Sequence, residues 1–491
     1  MITLSQSART LLLASCMVVA GCEVGPDFHS PRAPTDTRYS PDPVAQTAGV
    51  PVRGGAAQHF DANRDIPGDW WTLFHSEPLD RLVRQALAHN PDLEAAQAAL
   101  RQARENLAAS YGGLMPTGGA SFQAERELVS GAAFGQPKLH QTLSLVTPTL
   151  NISYALDVFG GARRQIESTA AQAEYQRFQL EAAYLTLTSN VVVAAIQEAS
   201  LRGQIAATQD IIADQQKALA LVRSRLDAGA ASRADVLSQQ AQLQQTKATL
   251  PPLQKQLAQT RDQLTALAGE LPMHEIGEVF DLPHLDLPVD LPLSVPSQLV
   301  EQRPDVRAAE ATLHAASANV GVAVANRLPQ FNISASLGTD ATGFSNVFSP
   351  ASGIWTLAGG ITQPLFNASQ LLHKERAAVA AFDQAAAQYR GTVVRACQNV
   401  ADTLRAMQSD ADALATQVAA ERTALQSLNL SRSQFQAGAI DYQTLLNAQR
   451  TWQQARIGLV QAEAARYADT AALYQALGGG WWHRTDVAEN H

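Results

Sequence analysis

The sequence predicts an α+β membrane protein in which four amphipathic β-strands per chain are carried on very long α-helices. Three observations predict it. The chain repeats one plan with a period of about 210 residues, too long for a solenoid unit, so each copy is a whole structural half. Each half contains paired stretches of period-2 alternation, the pattern of a strand with one apolar and one polar face. Each half also contains a run of more than sixty residues free of proline, with apolar residues on heptad spacing.

The N-terminus reads as a targeting segment. Arg9 precedes a short apolar run, Leu11 to Ala20, which is too short to span a bilayer. It ends at Val19-Ala20-Gly21-Cys22, a small residue before a cysteine, which is the form of a lipobox. Residues 1–21 are then a signal peptide, and Cys22 is the acylated first residue of the mature chain. Leu13-Ala14-Ser15-Cys16 also fits the pattern but leaves a stunted apolar run, and an ordinary secretory signal with incidental cysteines is the blander alternative. Glu23, and not aspartate, follows Cys22, so the expected address is the outer membrane, with its lipid as partner. Of three cysteines Cys16 leaves with the signal and Cys22 carries lipid. Cys397 is left alone in a helical pattern, so no disulfide is available and a small packed side chain is expected.

After an N-terminal segment at 22–78, the first copy covers 79–270 and the second 297–480. A Pro-rich linker, 271–296, joins them, and 481–491 form a tail. Asn90-Pro91-Asp92-Leu93 is echoed by Arg303-Pro304-Asp305-Val306, each opening an Ala-rich helix that ends at a proline, Pro116 or Pro329. Alternation then marks strands near 117–126 and 142–157 in the first copy, and near 330–338 and 354–366 in the second. Runs of about ten residues suit a tilted crossing of a bilayer. Four strands cannot close a barrel, and an open sheet edge in lipid costs several kcal/mol per unpaired group. Subunits must therefore pool strands, and three chains give a closed barrel of twelve.

The helices follow. Residues 162–228 would span about 95–100 Å as one helix, and 368–437 offer a similar run. Ile205, Ile212, Leu219 and Leu226 recur every seven residues, as do Val236, Leu243, Leu250, Leu257 and Leu264. Pro251-Pro252 should kink or restart the latter helix. Residues 79–112 and 232–268, end to end, have the length to pack antiparallel to the long first helix. Gly229 and Gly438 sit in matching Ala-Gly-Ala triplets where each long helix ends, and mark the reversals.

Composition agrees and excludes other classes. Hydrophobic residues make up 46% of the chain but aromatics only 6% and charged residues 16%, a surplus of alanine, leucine and glutamine that suits coiled coils. The net charge of −9 has no basic patch, so no nucleic acid is expected as a partner. There is no HExxH, P-loop, GxGxxG or CxxC, and the histidines lack ligand spacing. No enzymatic role, metal or cofactor is expected.

On these residues the chain resembles the TolC-like outer-membrane factors, in their lipoprotein (NodT-type) branch, over nearly the whole mature length. The carrying motifs are Cys22 to Phe28, Trp70-Trp71-Thr72-Leu73-Phe74, and Ser153 to Gly160. With them come Arg303 to Glu310, Ala437-Gly438 with Leu445 to Arg450, and Leu473 to Trp481. The resemblance implies a homotrimer with a twelve-stranded barrel continued by a periplasmic coiled-coil tunnel. It also implies a periplasmic membrane-fusion adaptor and an inner-membrane pump, often of the resistance–nodulation–division class. The implied function is a passive exit duct for drugs or toxic metabolites. A duct for a secreted polypeptide and a structural coiled-coil envelope lipoprotein are the rivals. Asp235, just past the first reversal, and Asp441 and Tyr442, past the second, are candidate gate residues, since in a trimer each acid becomes a ring of three. Equally, an aspartate at a helix start can simply favour the dipole. Ile440, Thr444 and Asn447 stand where the family often carries further charges, which puts its usual salt-bridge latch in doubt.

Overall fold

The computed structural model describes residues 23–41, 45–62, 64–130, 132, 135, 138 and 140–484. In chain order the strands are β1 His59–Asp61, β2 Thr117–Ser130, β3 His140–Leu156, β4 Asp290–Pro292, β5 Gln330–Thr339 and β6 Gly353–Thr362. The α-helices are α1 Glu77–His89, α2 Pro91–Tyr111, α3 Gly161–Asp227, α4 Arg233–Leu267, α5 Pro296–Gln302, α6 Pro304–Ala325, α7 Ala368–Gln436 and α8 Tyr442–Ala476. The chain divides into two compact units. One comprises residues up to 31 with 99–177 and 308–390, the other 32–98, 178–307 and 391 onward.

The first unit is built on one antiparallel sheet in the order β2-β3-β5-β6. Its register places Ala120, Leu150, Leu337 and Trp355 side by side, followed by Ile152, Ala335 and Leu357, then Leu156, Phe331 and Ile361. These side chains form one face, and most of the large ones, among them Phe122, Leu337, Trp355, Leu357 and Ile361, are exposed. The opposite face is polar and bonded within itself. Ser121 and Thr149 hydroxyls lie 2.7 Å apart, Asn151 Nδ2 donates to both, and Ser153 Oγ donates to Asn332 Oδ1 at 3.1 Å. An exposed apolar face of this extent suits lipid, and the polar face suits water. Packing between β3 and β5 is close: a Cβ at Gly338 would lie 2.4 Å from the Pro148 carbonyl oxygen. β2 and β3 are 14 and 17 residues long, beyond the roughly ten that alternate.

In the second unit Trp70, Phe74 and Tyr474 are fully buried, with Trp70 stacked on Tyr474 at 5.3 Å between ring centroids. The motif Trp70-Trp71-Thr72-Leu73-Phe74 is a 3-10 turn that delivers these rings to the core. The two copies of the Pro-Asp junction use one backbone solution with different side chains. Asn90 Oδ1 accepts from the backbone N–H groups of Asp92 and Leu93, and Asn90 Nδ2 donates to the Leu267 carbonyl at 3.1 Å. Arg303 pairs with both carboxylate oxygens of Asp305 and donates to the Ala476 carbonyl at 3.0 Å. The end of α4 thus meets the start of α2, and the end of α8 meets the start of α6.

One sequence expectation is corrected here. α4 runs unbroken through Pro251 and Pro252, which do not restart it. Both prolines and Lys247 and Ala248, whose carbonyls lose their usual donors, are exposed, which leaves that side of the helix open to water. Within the Pro-rich 271–296 stretch, β4 pairs in parallel with β1 from His59↔Asp290 to Asp61↔Pro292.

Candidate functional site

The candidate site is the pair of helix reversals, all of it within the second unit. α3 ends in a Schellman arrangement in which Ala230 N–H donates to the Arg225 carbonyl at 2.7 Å and Gly229 has φ +74°. α7 ends identically, with Ala439 N–H donating to Gln434 at 2.8 Å and Gly438 also at φ +74°. The left-handed conformation explains the two glycines, since a Cβ there is strained although nothing lies within 4 Å to obstruct it.

Each reversal hands over to a capped helix. Ser232 Oγ accepts from Asp235 N–H at 3.2 Å, and Asp235 Oδ2 accepts from Ser232 N–H at 2.8 Å, a reciprocal capping box. Asp441 caps α8 by accepting from Thr444 N–H at 2.8 Å. The Thr444 hydroxyl and N–H hold the Asp441 carboxyl below the usual range. Both acids therefore have a local structural task. For Asp441 the cap favours the charged form, so its charge persists at the reversal alongside that task.

Tyr442 sits differently from the two acids. It is 5% exposed, in a cluster with Val222, Leu428, Leu445 and Leu446. Its hydroxyl donates to Gln239 Oε1, and its ring lies 5.2 Å from that of Phe435. Burial pushes the phenol well above its ordinary range. Arg225, at the end of α3, stacks its guanidinium on Phe435, at the end of α7, at 4.8 Å. Tyr442 and Arg225 therefore join the two hairpins to each other. Tyr442→Phe is expected to weaken that junction by about 1 kcal/mol, read as a lower melting temperature without loss of assembly. An unchanged melting curve would show that the hydroxyl contributes nothing.

Farther up the hairpins is a group of charges that sequence reasoning did not single out. Arg466 is 1% exposed, and its Nη2 donates to Gln58 Oε1 at 2.7 Å. Asp469, one turn on, is raised to about 7 by burial and by Asp410. No spacing rule marks this group, because Asp410 lies on another helix. Among the described residues no group of three His, Cys, Asp or Glu could hold a metal. Cys397 is free and half-buried, and burial raises its thiol. Cys22 lies outside the described residues.

The sequence profile of the family described as outer membrane efflux protein matches residues 82–270 and 295–479, one match for each copy of the repeat. The pyoverdine export outer membrane protein OpmQ of Pseudomonas putida is 30% identical over 449 residues, covering 89% of this chain and 94% of that one. The cation efflux system protein CusC of Escherichia coli K12 is 28% identical over 483 residues, 96% and 99% of the two chains. Among solved structures the outer-membrane channel OprN superposes with a TM-score of 0.84 at 28% identity, covering 94% of this chain and all of that one.

Proposed function

We propose a working mechanism that proceeds from one fact: the chain belongs to the outer membrane efflux protein family. It is an outer-membrane efflux channel subunit. Three copies pool their sheets into a twelve-stranded barrel, and the paired helices continue the duct into the periplasm. The duct is passive and makes or breaks no bonds. An inner-membrane pump of the resistance–nodulation–division class, joined by a periplasmic membrane-fusion adaptor, supplies the work and selects the small-molecule cargo. Acyl chains on Cys22 add a second hold on the membrane.

The observation that carries this reading is the four-stranded sheet itself. It exposes an apolar face, and among the described residues β2 and β6 are its free edges. Such edges cannot stand unpaired in hydrocarbon, so edge must join edge across subunits. In mild detergent the protein is expected as a trimer, and light scattering that gave a monomer or an even-numbered oligomer would refute pooling. The curated names among the relatives include pyoverdine export, cation efflux and toluene efflux, so cargo is not written in the shared fold.

At the reversals, rings of Asp235 and Asp441 act as a cation-favouring aperture, where charges interact across a short distance in a reduced dielectric. Asp235→Asn keeps an acceptor for the Ser232 cap and removes the charge. In planar bilayers it is expected to lower cation preference with the barrel intact, and unchanged selectivity would remove Asp235 from the gate. A conducting pore would also rule out a purely structural coiled-coil lipoprotein. Transport of a polypeptide with no effect on small-molecule resistance would favour the secretion duct.

A further inference from the structure

The geometry points to Arg164 as a clamp that mounts the N-terminal segment, and hence the lipid on Cys22, at a fixed place beside the base of the barrel. This inference rests on the reading that Cys22 is acylated. Arg164 lies in the first turn of α3, and its side chain is 4% exposed. It gathers residues of the segment that directly follows Cys22. Arg164 Nη2 donates to Asp27 Oδ1 at 2.6 Å, Nε donates to the Val24 carbonyl at 3.2 Å, and Glu23 lies 3.5 Å from Nε. Its remaining nitrogen donates to Glu167 at 2.7 Å, and Glu167 in turn bonds His314 at 2.8 Å. Phe28 stacks on the His314 ring at 4.3 Å. Burial alone would lower the affinity of Arg164 for its proton, but the Asp27 and Glu167 carboxylates outweigh it and raise it.

The backbone is shaped for this contact independently of the charges. Gly25 has φ +98°, and a Cβ there would lie 2.4 Å from Gly321 Cα. A Cβ on Gly321 would meet the Val24 carbonyl oxygen at 2.9 Å, and one on Gly160 would meet Glu23 Cγ at 2.8 Å. Three glycines from three separate parts of the sequence thus make room for one strap. Val24 N–H donates to the Phe159 carbonyl at 3.1 Å, three residues beyond the end of β3. Phe159 is within about 11 Å of a barrel strand by the reach of an extended chain, Val24 is bonded to it, and one residue of chain separates Val24 from Cys22. A free tether of the same ten residues, 22–31, would wander by about 16–19 Å. The clamp turns that tether into a mount, so the acyl chains enter the inner leaflet at the level where the barrel strands end.

Spin labelling tests the mount in the full-length protein reconstituted in liposomes. A nitroxide on Ser30→Cys, in a Cys397→Ser background, reports strap mobility, and intact mass reports acylation. The unaltered strap should be immobile. Arg164→Gln is expected to raise the mobile fraction about tenfold, the loss of charged hydrogen bonds. Gly25→Val should do the same with Arg164 in place, which guards against a folding defect at Arg164. Cys22→Ser should lose the lipid while the label stays immobile. An unchanged spectrum in both Arg164→Gln and Gly25→Val overturns the clamp. So does mobilisation by Cys22→Ser alone, which would make the lipid the holder of the strap. An unmodified Cys22 in the unaltered protein overturns the anchoring half, and the mobility result then judges the clamp by itself.

Discussion

Leu337→Arg is expected to abolish the oligomer in the outer membrane, while Ser336→Arg, one residue back, leaves it in place and alters conductance. The two positions differ only in face. Leu337 stands between Leu150 and Trp355 in the exposed apolar ladder, and Ser336 between Asn151 and Thr356 on the polar side. An arginine at the lipid-facing midplane of a barrel costs about 2–4 kcal/mol, and trimer symmetry repeats it three times, for a total of about 6–12 kcal/mol. That is comparable to the entire stability of a typical folded protein. On the polar face the same side chain meets water, so its cost is small and its effect is electrostatic. Gel mobility of unheated membrane fractions compares the two variants. Equal oligomer in both would mean that the sheet does not divide lipid from lumen as its register implies.

The second large effect is expected at Arg484. Residues 481–484, at the start of the expected tail, pack into the second unit. Trp481 Nε1 donates to the Gln302 carbonyl at 2.6 Å, and Arg484 bonds Glu181 at 2.7 Å with side-chain exposures of 9% and 3%. The Arg484 guanidinium also lies 3.3 Å from the Tyr184 ring centroid. Arg484→Met deprives a buried carboxylate of its cation, which costs about 3–5 kcal/mol. Adding Glu181→Gln should recover much of that loss, because the amide is neutral. Thermal unfolding followed by circular dichroism measures both. A single variant that melts with the unaltered protein would show that the pair is not stabilising, and a double variant no better than the single would point to lost packing over Tyr184.

Where the chain meets two solvents, its fold could be read directly. Alternation in β5 and β6 is legible because lipid and water select opposite residues at each step. The code stops where the lipid stops. In β2 the consecutive charges Glu125, Arg126 and Glu127 end the pattern, and opposite them Leu145 and Leu143 fall on the otherwise polar face. The ladder of backbone hydrogen bonds nonetheless continues to Ser130↔His140. The reversals were legible because φ +74° has a residue signature, glycine. The burial of Tyr442 was not, because the acceptor for its hydroxyl, Gln239, is 203 positions away and carries no pattern. The Arg164 strap was hidden for the same reason, as its glycines gain meaning only when three distant backbones approach.

The seam between the hairpins has a consequence for the conditions that can loosen it. Among the described residues its hydrogen-bond acceptors are uncharged amides. Across it Gln461 Nε2 donates to Gln204 at 3.0 Å and the Tyr442 hydroxyl donates to Gln239, with Arg450 on Gln242 as the charged donor, while Gln215 on Thr246 and Gln239 on the Gln215 carbonyl bond within the first hairpin. Ionic screening acts on charges, so a rise in salt has little to weaken here. Mild acid finds no carboxylate among these partners to protonate. Such a seam has little that a swing in salinity or acidity can act on, and any response of the hairpins to acid falls instead to Asp469, farther up, which burial and Asp410 raise to about 7.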